Sequence, residues 1–184
     1  MFVCTGNICR SPMAEQLLRA RVTVDSGPPV SIASAGLNTV DGVPMDSSSA
    51  QQSVLHGGVP DEARSRKVSG VAIERQDLIL TMTRAHQIEL LGRYPMLLSR
   101  VFVLREFAFG VDEILRPISD WSSSDAERRN GVLRAASIRS RLKLADSDIS
   151  DPFRKSDAIH SEVGLAISRS IDLLSPFFRP RRQR

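Results

Sequence analysis

The sequence lacks long apolar runs and contains few cysteines and histidines. No apolar run reaches the roughly 18 residues that a membrane-spanning helix needs, so no such helix is expected. The two cysteines, Cys4 and Cys9, exclude a disulfide framework and favour a reducing compartment, so we expect a cytoplasmic protein. Three scattered histidines, His56, His86 and His160, make no zinc site with them. We interpret each histidine as a surface or helix-end residue.

Length and composition predict a single folded domain. The chain has 184 residues, of which 41% are hydrophobic and 25% charged. We expect the domain to span residues 1–178 and a basic tail to span 179–184. The net charge is +4, and the tail holds four arginines. Because no nucleic-acid motif accompanies the tail, we interpret it as solvated and expect no nucleic-acid partner. We also expect no membrane partner, and we expect the protein to be a monomer.

Apolar runs alternate with helical periodicity, which predicts an α/β fold with a parallel sheet. The predicted strands are residues 1–3, 30–33, 78–82 and 101–104. The predicted helices are residues 11–21, 47–57, 84–91, 126–144 and 161–174. Because residues 1–3 run directly into Cys4, we also expect no signal peptide.

The segment between the first predicted strand and helix is suited to bind an anion. It consists of Cys4, Thr5, Gly6, Asn7, Ile8, Cys9, Arg10 and Ser11. Parallel sheets bind ligands at this end of their strands, where the next helix presents free amides and a partial positive charge. We expect Gly6 to let the backbone turn so that amides converge on the anion, and Arg10 to hold two of its oxygens. The same field favours a Cys4 thiolate.

Residues 4–12 closely resemble the motif of low-molecular-weight protein tyrosine phosphatases. The resemblance implies a three-layer, phosphotyrosine phosphatase I-like fold with a four-stranded parallel sheet flanked by helices. It implies that Cys4 is the nucleophile and that Arg10 binds phosphate and stabilises the transition state. Asn7 and Ser11 would brace the loop, and Ser34 would hydrogen-bond the loop asparagine. No metal or organic cofactor is required.

A cysteinyl-phosphate mechanism needs one carboxyl group that first gives and later takes a proton. The resemblance identifies Asp151, in Asp151-Pro152-Phe153, as this general acid and base. Phe153 would line the cleft, whereas the Asp-Pro pair taken alone indicates only a helix start. Cys9 is either a redox partner that protects Cys4 by a disulfide or a small buried residue, and both interpretations stay open.

The resemblance covers residues 1–109 and 149–175 and has three departures. Residues 111–148 form a polar insertion, which we interpret as a solvated surface helix rather than a contact for a substrate protein. The first strand is shorter than in the family, so we expect an N-terminally longer form to be more stable. Two cleft aromatics are replaced, one within residues 37–40 and one by Arg154, which either favours acidic flanking sequence or faces solvent.

The predicted activity is hydrolysis of phosphotyrosine, with tyrosine-phosphorylated proteins as partners. One alternative is a phosphoarginine phosphatase, but members with that preference carry threonine where Ile8 stands. Another is an arsenate reductase, although the thioredoxin-coupled type needs cysteines beyond Cys9. The third is a non-catalytic module that binds phosphorylated ligands, which retention of Cys4, Arg10 and Asp151 disfavours.

Overall fold

The sheet is parallel and has four strands in the order β2-β1-β3-β4. A computed structural model describes residues 1–22, 30–115 and 124–178. Each strand has three residues: β1 (Phe2–Cys4), β2 (Ser34–Gly36), β3 (Ile79–Thr81) and β4 (Val101–Val103). The predicted four-stranded parallel sheet is confirmed. β1 has the same length as its neighbours, and the greater stability of a longer form stays a prediction.

Seven α-helices accompany the sheet within the described residues. They are α1 (Arg10–Val22), α2 (Ser47–Leu55), α3 (Gly70–Glu74), α4 (Arg84–Arg93), α5 (Leu104–Phe109), α6 (Asp125–Ser137) and α7 (Asp157–Leu174). A π-helical turn follows α5 at Gly110–Leu115. Four helices begin after a capping residue whose side chain accepts a hydrogen bond from a backbone amide of the first turn, an amide that has no partner within the helix. The capping residues are Asp46, Ser69, Thr83 and Ser124.

Alternating side chains along the strands build a core on each face of the sheet. Phe2 and Cys4 lie on one face and pack with side chains of α1, α5, α6 and α7. Val3 points to the opposite face, where Ile73 of α3 and Leu90 of α4 cover the sheet. Helices therefore flank the sheet on both sides, which confirms the three-layer architecture. The alternation also fixes the side on which the Cys4 thiol lies.

The second strand lies later in the sequence than its apolar pattern predicts. Residues 30–33 are not a strand, and β2 instead pairs Ser34 with Phe2 and Gly36 with Cys4. Small residues have weak strand propensity, so pairing with the buried β1 decides the position. As a result, the carboxyl ends of β1 and β2 are level, and the segments that follow them lie side by side.

The stretch at residues 111–148 contributes to the main core. Helix α6 ends at Ser137, and a tight turn at Arg139–Leu142 replaces the predicted continuation to residue 144. Val132, Ala135 and Leu142 are at most 4% exposed and belong to the cluster that includes Ile167 of α7. The expectation of a solvated surface helix is therefore wrong for this face, because these apolar side chains cover the sheet.

The division into residues 1–178 with an insertion at 111–148 stays a prediction. The basic tail, residues 179–184, lies outside the described residues. None of the helices in residues 1–22, 30–115 and 124–178 is long and apolar enough to cross a membrane.

Candidate active site

Residues 4–11, here called the Cys4 loop, connect the carboxyl end of β1 to the start of α1. The Cys4 side chain is buried, and its Sγ lies 3.3 Å from the Asn7 amide nitrogen, which donates to it. The Ser11 hydroxyl lies 3.0 Å from the same sulfur. Donors on two sides of the sulfur stabilise a negative charge on it.

Asn7 fixes the shape of the Cys4 loop. Its backbone is in the left-handed region with φ of 53°, a conformation that asparagine tolerates better than most residues. Its Nδ2 donates to Ser11 Oγ at 2.9 Å and Ser34 Oγ at 2.8 Å, and its Oδ1 accepts from the Arg66 amide at 2.8 Å. The left-handed residue of the loop is therefore Asn7 and not Gly6, while the convergence of the amides on an anion stays a prediction.

The hydrogen bonds around Ser34 and Ser11 have one consistent direction. Ser34 Oγ accepts from Asn7 and donates to Glu15 Oε2 at 2.6 Å. Ser11 Oγ also accepts from Asn7, and its hydroxyl lies 3.0 Å from Cys4 Sγ and 3.5 Å from the Ala35 carbonyl oxygen, to which it donates. Once the Cys4 thiol has lost its proton, only the Ser11 hydroxyl can donate in the bond with the sulfur. Glu15 is a supporting residue that was not predicted from the sequence. Its position four residues after Ser11, on the same face of α1, is a signal for it.

Arg10 joins the Cys4 loop to the acid loop, residues 148–155. Its Nη1 donates to the Ile149 carbonyl at 3.0 Å, and its Nη2 lies 3.0 Å from Asp151 Oδ2. The Arg10 side chain is only 4% exposed, and its Nε has no hydrogen-bond partner among the described residues. The backbone amides of Gly6 and Ile8 also have no hydrogen-bond partner among the residues that the structure describes. These donors leave room for an anion.

The acid loop is the exposed part of the site. The Asp151 side chain is 54% exposed, and its Oδ1 accepts from the Phe153 amide at 3.2 Å. Phe153 is 42% exposed, and the Arg154 guanidinium lies 5.1 Å from its ring centroid. The Ile149 amide donates to the Met82 carbonyl at 2.9 Å and anchors this loop to the end of β3.

A cavity of about 300 Å³ brings most of the predicted site residues together. Its lining combines the predicted Cys4, Thr5, Gly6, Ile8, Cys9, Arg10, Asp151 and Phe153 with Asn38, Thr39 and Val43. Asn7, Ser11 and Ser34 lie behind this lining as supports. A second cavity, of about 440 Å³ near the amino end of β1, contains none of the predicted site residues. Chemistry, rather than volume, therefore distinguishes the candidate site.

The two cysteines are both free thiols, and they lie in different surroundings. Burial raises the pKa of the Cys9 thiol to about 12, and a hydrogen bond with Ser49 only partly offsets this effect. Cys9 therefore stays protonated at neutral pH. Its position in the cavity lining nevertheless places it beside Cys4 in the same short loop.

Two of the three histidines are buried, so the surface interpretation is wrong for them. His86 is 7% exposed, and its Nε2 lies 2.9 Å from Thr5 Oγ1. His160 is 3% exposed, and its Nδ1 lies 3.1 Å from Ser49 Oγ. Both stand in the first turn of a helix, as expected of helix-end residues, and His56 follows the last residue of α2. No cluster able to hold a metal ion occurs among the described residues.

Burial and the nearby Arg10 charge lower the pKa of His86 to about 4. The imidazole is therefore neutral at physiological pH. His86 was not predicted as a site residue, although the Thr83 cap places it in the first turn after β3, at the sheet end that holds the Cys4 loop.

Comparisons with known proteins point to one family. Residues 1–134 match the family model described as "Low molecular weight phosphotyrosine protein phosphatase". A relative from Ralstonia nicotianae, described as "Probable low molecular weight protein-tyrosine-phosphatase EpsP", is 31% identical over 179 residues, which cover 97% of this chain and 94% of the relative. A "Protein-arginine-phosphatase" from Geobacillus stearothermophilus is 33% identical over 112 residues, or 61% and 72% of the two chains.

A solved structure has the same architecture. The YwlE arginine phosphatase from Geobacillus stearothermophilus superposes with a TM-score of 0.69 at 25% identity, and the match covers 95% of this chain and 88% of that one. The sequence match includes the whole Cys4 loop, and the fold match extends over nearly the whole chain. This chain therefore belongs to the low molecular weight phosphotyrosine protein phosphatase family.

Proposed function

We propose that this protein hydrolyses phosphotyrosine in proteins through a phosphorylated Cys4. The observation that carries the proposal is that Cys4, Arg10, Asp151 and Phe153 line one cavity. This set of groups suits a phosphoryl group attached to a phenol. The nucleophile, the guanidinium and the carboxyl group suit the phosphoryl transfer, and the aromatic ring suits the phenol. The remaining steps follow from where each group lies.

Phosphate would bind in the Cys4 loop. The amides of Gly6 and Ile8 and the Nε of Arg10 have no acceptor among the described residues, and phosphoryl oxygens would supply one. A forked guanidinium suits two phosphate oxygens at once. These groups neutralise the phosphate with no metal ion in any step.

In the first step the Cys4 thiolate attacks phosphorus. The S–P bond forms while the P–O bond to the phenol breaks, and Asp151 gives its proton to the departing oxygen. Ser11 stabilises the thiolate before attack, because its hydroxyl lies 3.0 Å from Sγ and can donate to the deprotonated sulfur. The exposure of Asp151 lets it reach a leaving group that enters from solvent.

In the second step water attacks the phosphocysteine. The Asp151 carboxylate takes a proton from this water, the S–P bond breaks, and inorganic phosphate leaves while the Cys4 thiolate is restored. Asp151 is then protonated again and ready for another substrate. One carboxyl group thus serves both steps, and atoms and charges balance over the cycle.

The lining of the cavity favours an aryl phosphate over a phosphoarginine. Ile8 presents an apolar side chain to the cavity, and Phe153 can pack against a phenyl ring. A guanidinium-linked phosphate would instead need polar partners at these positions. The natural substrates would be tyrosine-phosphorylated proteins, and two free thiols at the site suit the cytoplasm.

A parallel assay tests the proposal and its alternatives. Hydrolysis of a phosphotyrosine peptide and of phosphoarginine is measured together with arsenate reduction, for the wild type and for Ile8→Thr. We expect the phosphotyrosine peptide to be turned over fastest and Ile8→Thr to shift the ratio toward phosphoarginine. Faster wild-type turnover of phosphoarginine would overturn the substrate assignment, and binding without turnover of any substrate would indicate the non-catalytic module.

A further inference from the structure

A buried contact links the Cys4 loop to helix α4. His86, the third residue of α4, places Nε2 at 2.9 Å from Thr5 Oγ1, and Thr5 directly follows Cys4 and lines the cavity. The backbone amide of His86 donates to Thr83 Oγ1, the cap of the helix. The start of the helix therefore fixes the position of His86. Its contact with the loop is made by a buried side chain and not by a mobile surface residue.

We propose that His86 is a positioning residue for phosphate binding: its Nε2–H donates to Thr5 Oγ1 and thereby directs the Thr5 hydroxyl hydrogen to the bound phosphate. The inference rests on the proposed function, because it assigns a further donor to that same site. Thr5 contacts the phosphate, whereas His86 acts only through Thr5.

The ring nitrogens decide between the two neutral tautomers. The Nδ1 of His86 is buried and has no hydrogen-bond partner among the described residues. If Thr5 donated to Nε2, Nδ1 would carry a buried hydrogen without an acceptor, and the Thr5 oxygen would turn lone pairs toward the phosphate. If Nε2 donates instead, Thr5 keeps its hydrogen for the phosphate. A bound dianion therefore selects the Nε2–H tautomer.

The charges around the ring keep it neutral at the pH of the reaction. The Arg10 guanidinium disfavours a second positive charge, while the carboxylates of Glu89, Asp148 and Asp151 favour one. Burial is the largest effect and acts in the same direction as Arg10. A neutral ring has one N–H only, so the direction of the bond to Thr5 does not change near neutral pH.

Binding of inorganic phosphate, measured by calorimetry, tests the inference without turnover. We expect His86→Leu and Thr5→Val each to weaken binding by about 10-fold, the worth of a hydrogen bond to a charged group. The double variant should be no weaker than either single one, since both remove the same donor. His86→Gln, whose amide can donate to Thr5, should retain most of the affinity. His56→Leu is the control and should bind like the wild type.

Additive losses in the double variant, or unchanged affinity in Thr5→Val, would overturn the inference. Nitrogen NMR of the wild-type imidazole supplies a readout that does not depend on whether a variant folds. A signal typical of the Nε2–H tautomer in the phosphate complex supports the inference, and the Nδ1–H tautomer contradicts it. Normal phosphate binding without hydrolysis of any phosphoester would refute the proposed function alone.

Discussion

The Cys4 loop and the acid loop meet in one cavity but are built differently. In the Cys4 loop, Asn7 and Arg10 are at most 4% exposed. The Asn7 side chain bonds to Ser34 and the Arg66 amide, and the Arg10 side chain to Ile149 and Asp151. In the acid loop, Asp151 is 54% and Phe153 42% exposed. One half of the site is fixed by the interior, and the other half faces solvent.

The difference follows from what each loop has to do. A phosphate dianion is bound best by donors that need no rearrangement, so a rigid, buried loop is suited to it. The acid must reach a leaving group on a protein and later a water molecule, so it must be open to solvent. Arg10, which belongs to the Cys4 loop, bonds to the acid loop at Ile149 and Asp151 and so links the two. Because the two loops differ in burial, substitutions in them should have distinct effects.

The largest effect is expected in the Cys4 loop. Cys4→Ser removes the nucleophile and should reduce turnover by about 10⁶-fold, as for the loss of a nucleophile in other enzymes. Inorganic phosphate should still bind, because the amides and Arg10 remain. Rates are measured with p-nitrophenyl phosphate and binding by calorimetry. Residual turnover within tenfold of the wild type would show that the reaction does not pass through Cys4.

Asp151→Asn, in the acid loop, should cost roughly 10²–10⁴-fold in turnover of a phosphotyrosine peptide. The loss in kcat/KM should be smaller for p-nitrophenyl phosphate than for the peptide, because nitrophenolate leaves without help from an acid. Stability should change little, since the side chain is exposed. Steady-state kinetics checks this through kcat/KM, which excludes the second step that both substrates share, and equal losses of kcat/KM for both would argue against a role as general acid.

Substitution of Asn7 tests how firmly the Cys4 loop is held. Asn7→Ala loses three hydrogen bonds of about 1 kcal/mol each and keeps a side chain at positive φ, so we expect about 4 kcal/mol of destabilisation. Asn7→Gly loses the same bonds but is free of the φ penalty, and it should be about 1 kcal/mol more stable than Asn7→Ala. Urea unfolding measures both values. Losses below 1 kcal/mol would mean that the loop is not rigidly supported.

The lowered pKa of His86 predicts that the free energy of unfolding depends on pH. Its pKa is lowered from 6.5 to about 4 in the folded chain. The unfolded chain takes up the proton first as the pH falls, so stability is lost between pH 6.5 and 4, by about 3 kcal/mol in total. In His86→Gln this contribution disappears, and the decline in the free energy of unfolding between pH 7 and 4 should be smaller by that amount. Equal declines in both proteins would contradict the buried neutral ring.

The smallest effect is expected at the exposed edge of the acid loop. Arg154 stacks on Phe153 and is exposed, so an acidic residue beside the phosphotyrosine can pair with it. Arg154→Ala should reduce the preference for acidic over neutral flanking residues by about two- to fivefold, as for other exposed ion pairs. Competition between two peptides measures this ratio, with Arg169→Ala on α7 as the control. An unchanged ratio would mean that Arg154 only faces solvent.

Local patterns in the sequence predicted the parts of the fold that depend on them. The parallel sheet and the helices beginning near Ser11, Ser47 and Arg84 follow from apolar periodicity and caps. β2 could not be predicted this way, because Ser34–Gly36 has weak strand propensity and forms only against β1. α5 was missed because its apolar residues continue the run of β4 without a break.

The site divides in the same way. Residues that act within the short loop, such as Cys4 and Arg10, were predicted from the motif, and Asp151 from its Asp-Pro-aromatic context. The supporting contacts of Glu15, Arg66 and His86 come from distant segments and depend on the folded arrangement. The need for glycine at position 36 likewise depends on the folded arrangement, because an added Cβ would lie 2.8 Å from the Thr5 carbonyl oxygen.

The central claim is that catalysis passes through a phosphate bonded to Cys4. The most direct test uses Asp151→Asn with p-nitrophenyl phosphate, since this substrate allows the first step while the lost base slows the second. Acid quenching during turnover, followed by peptide mass spectrometry, should find one phosphoryl group on the peptide that contains Cys4. Turnover with no phosphoryl group on that peptide, or with the group on another residue, would contradict the account.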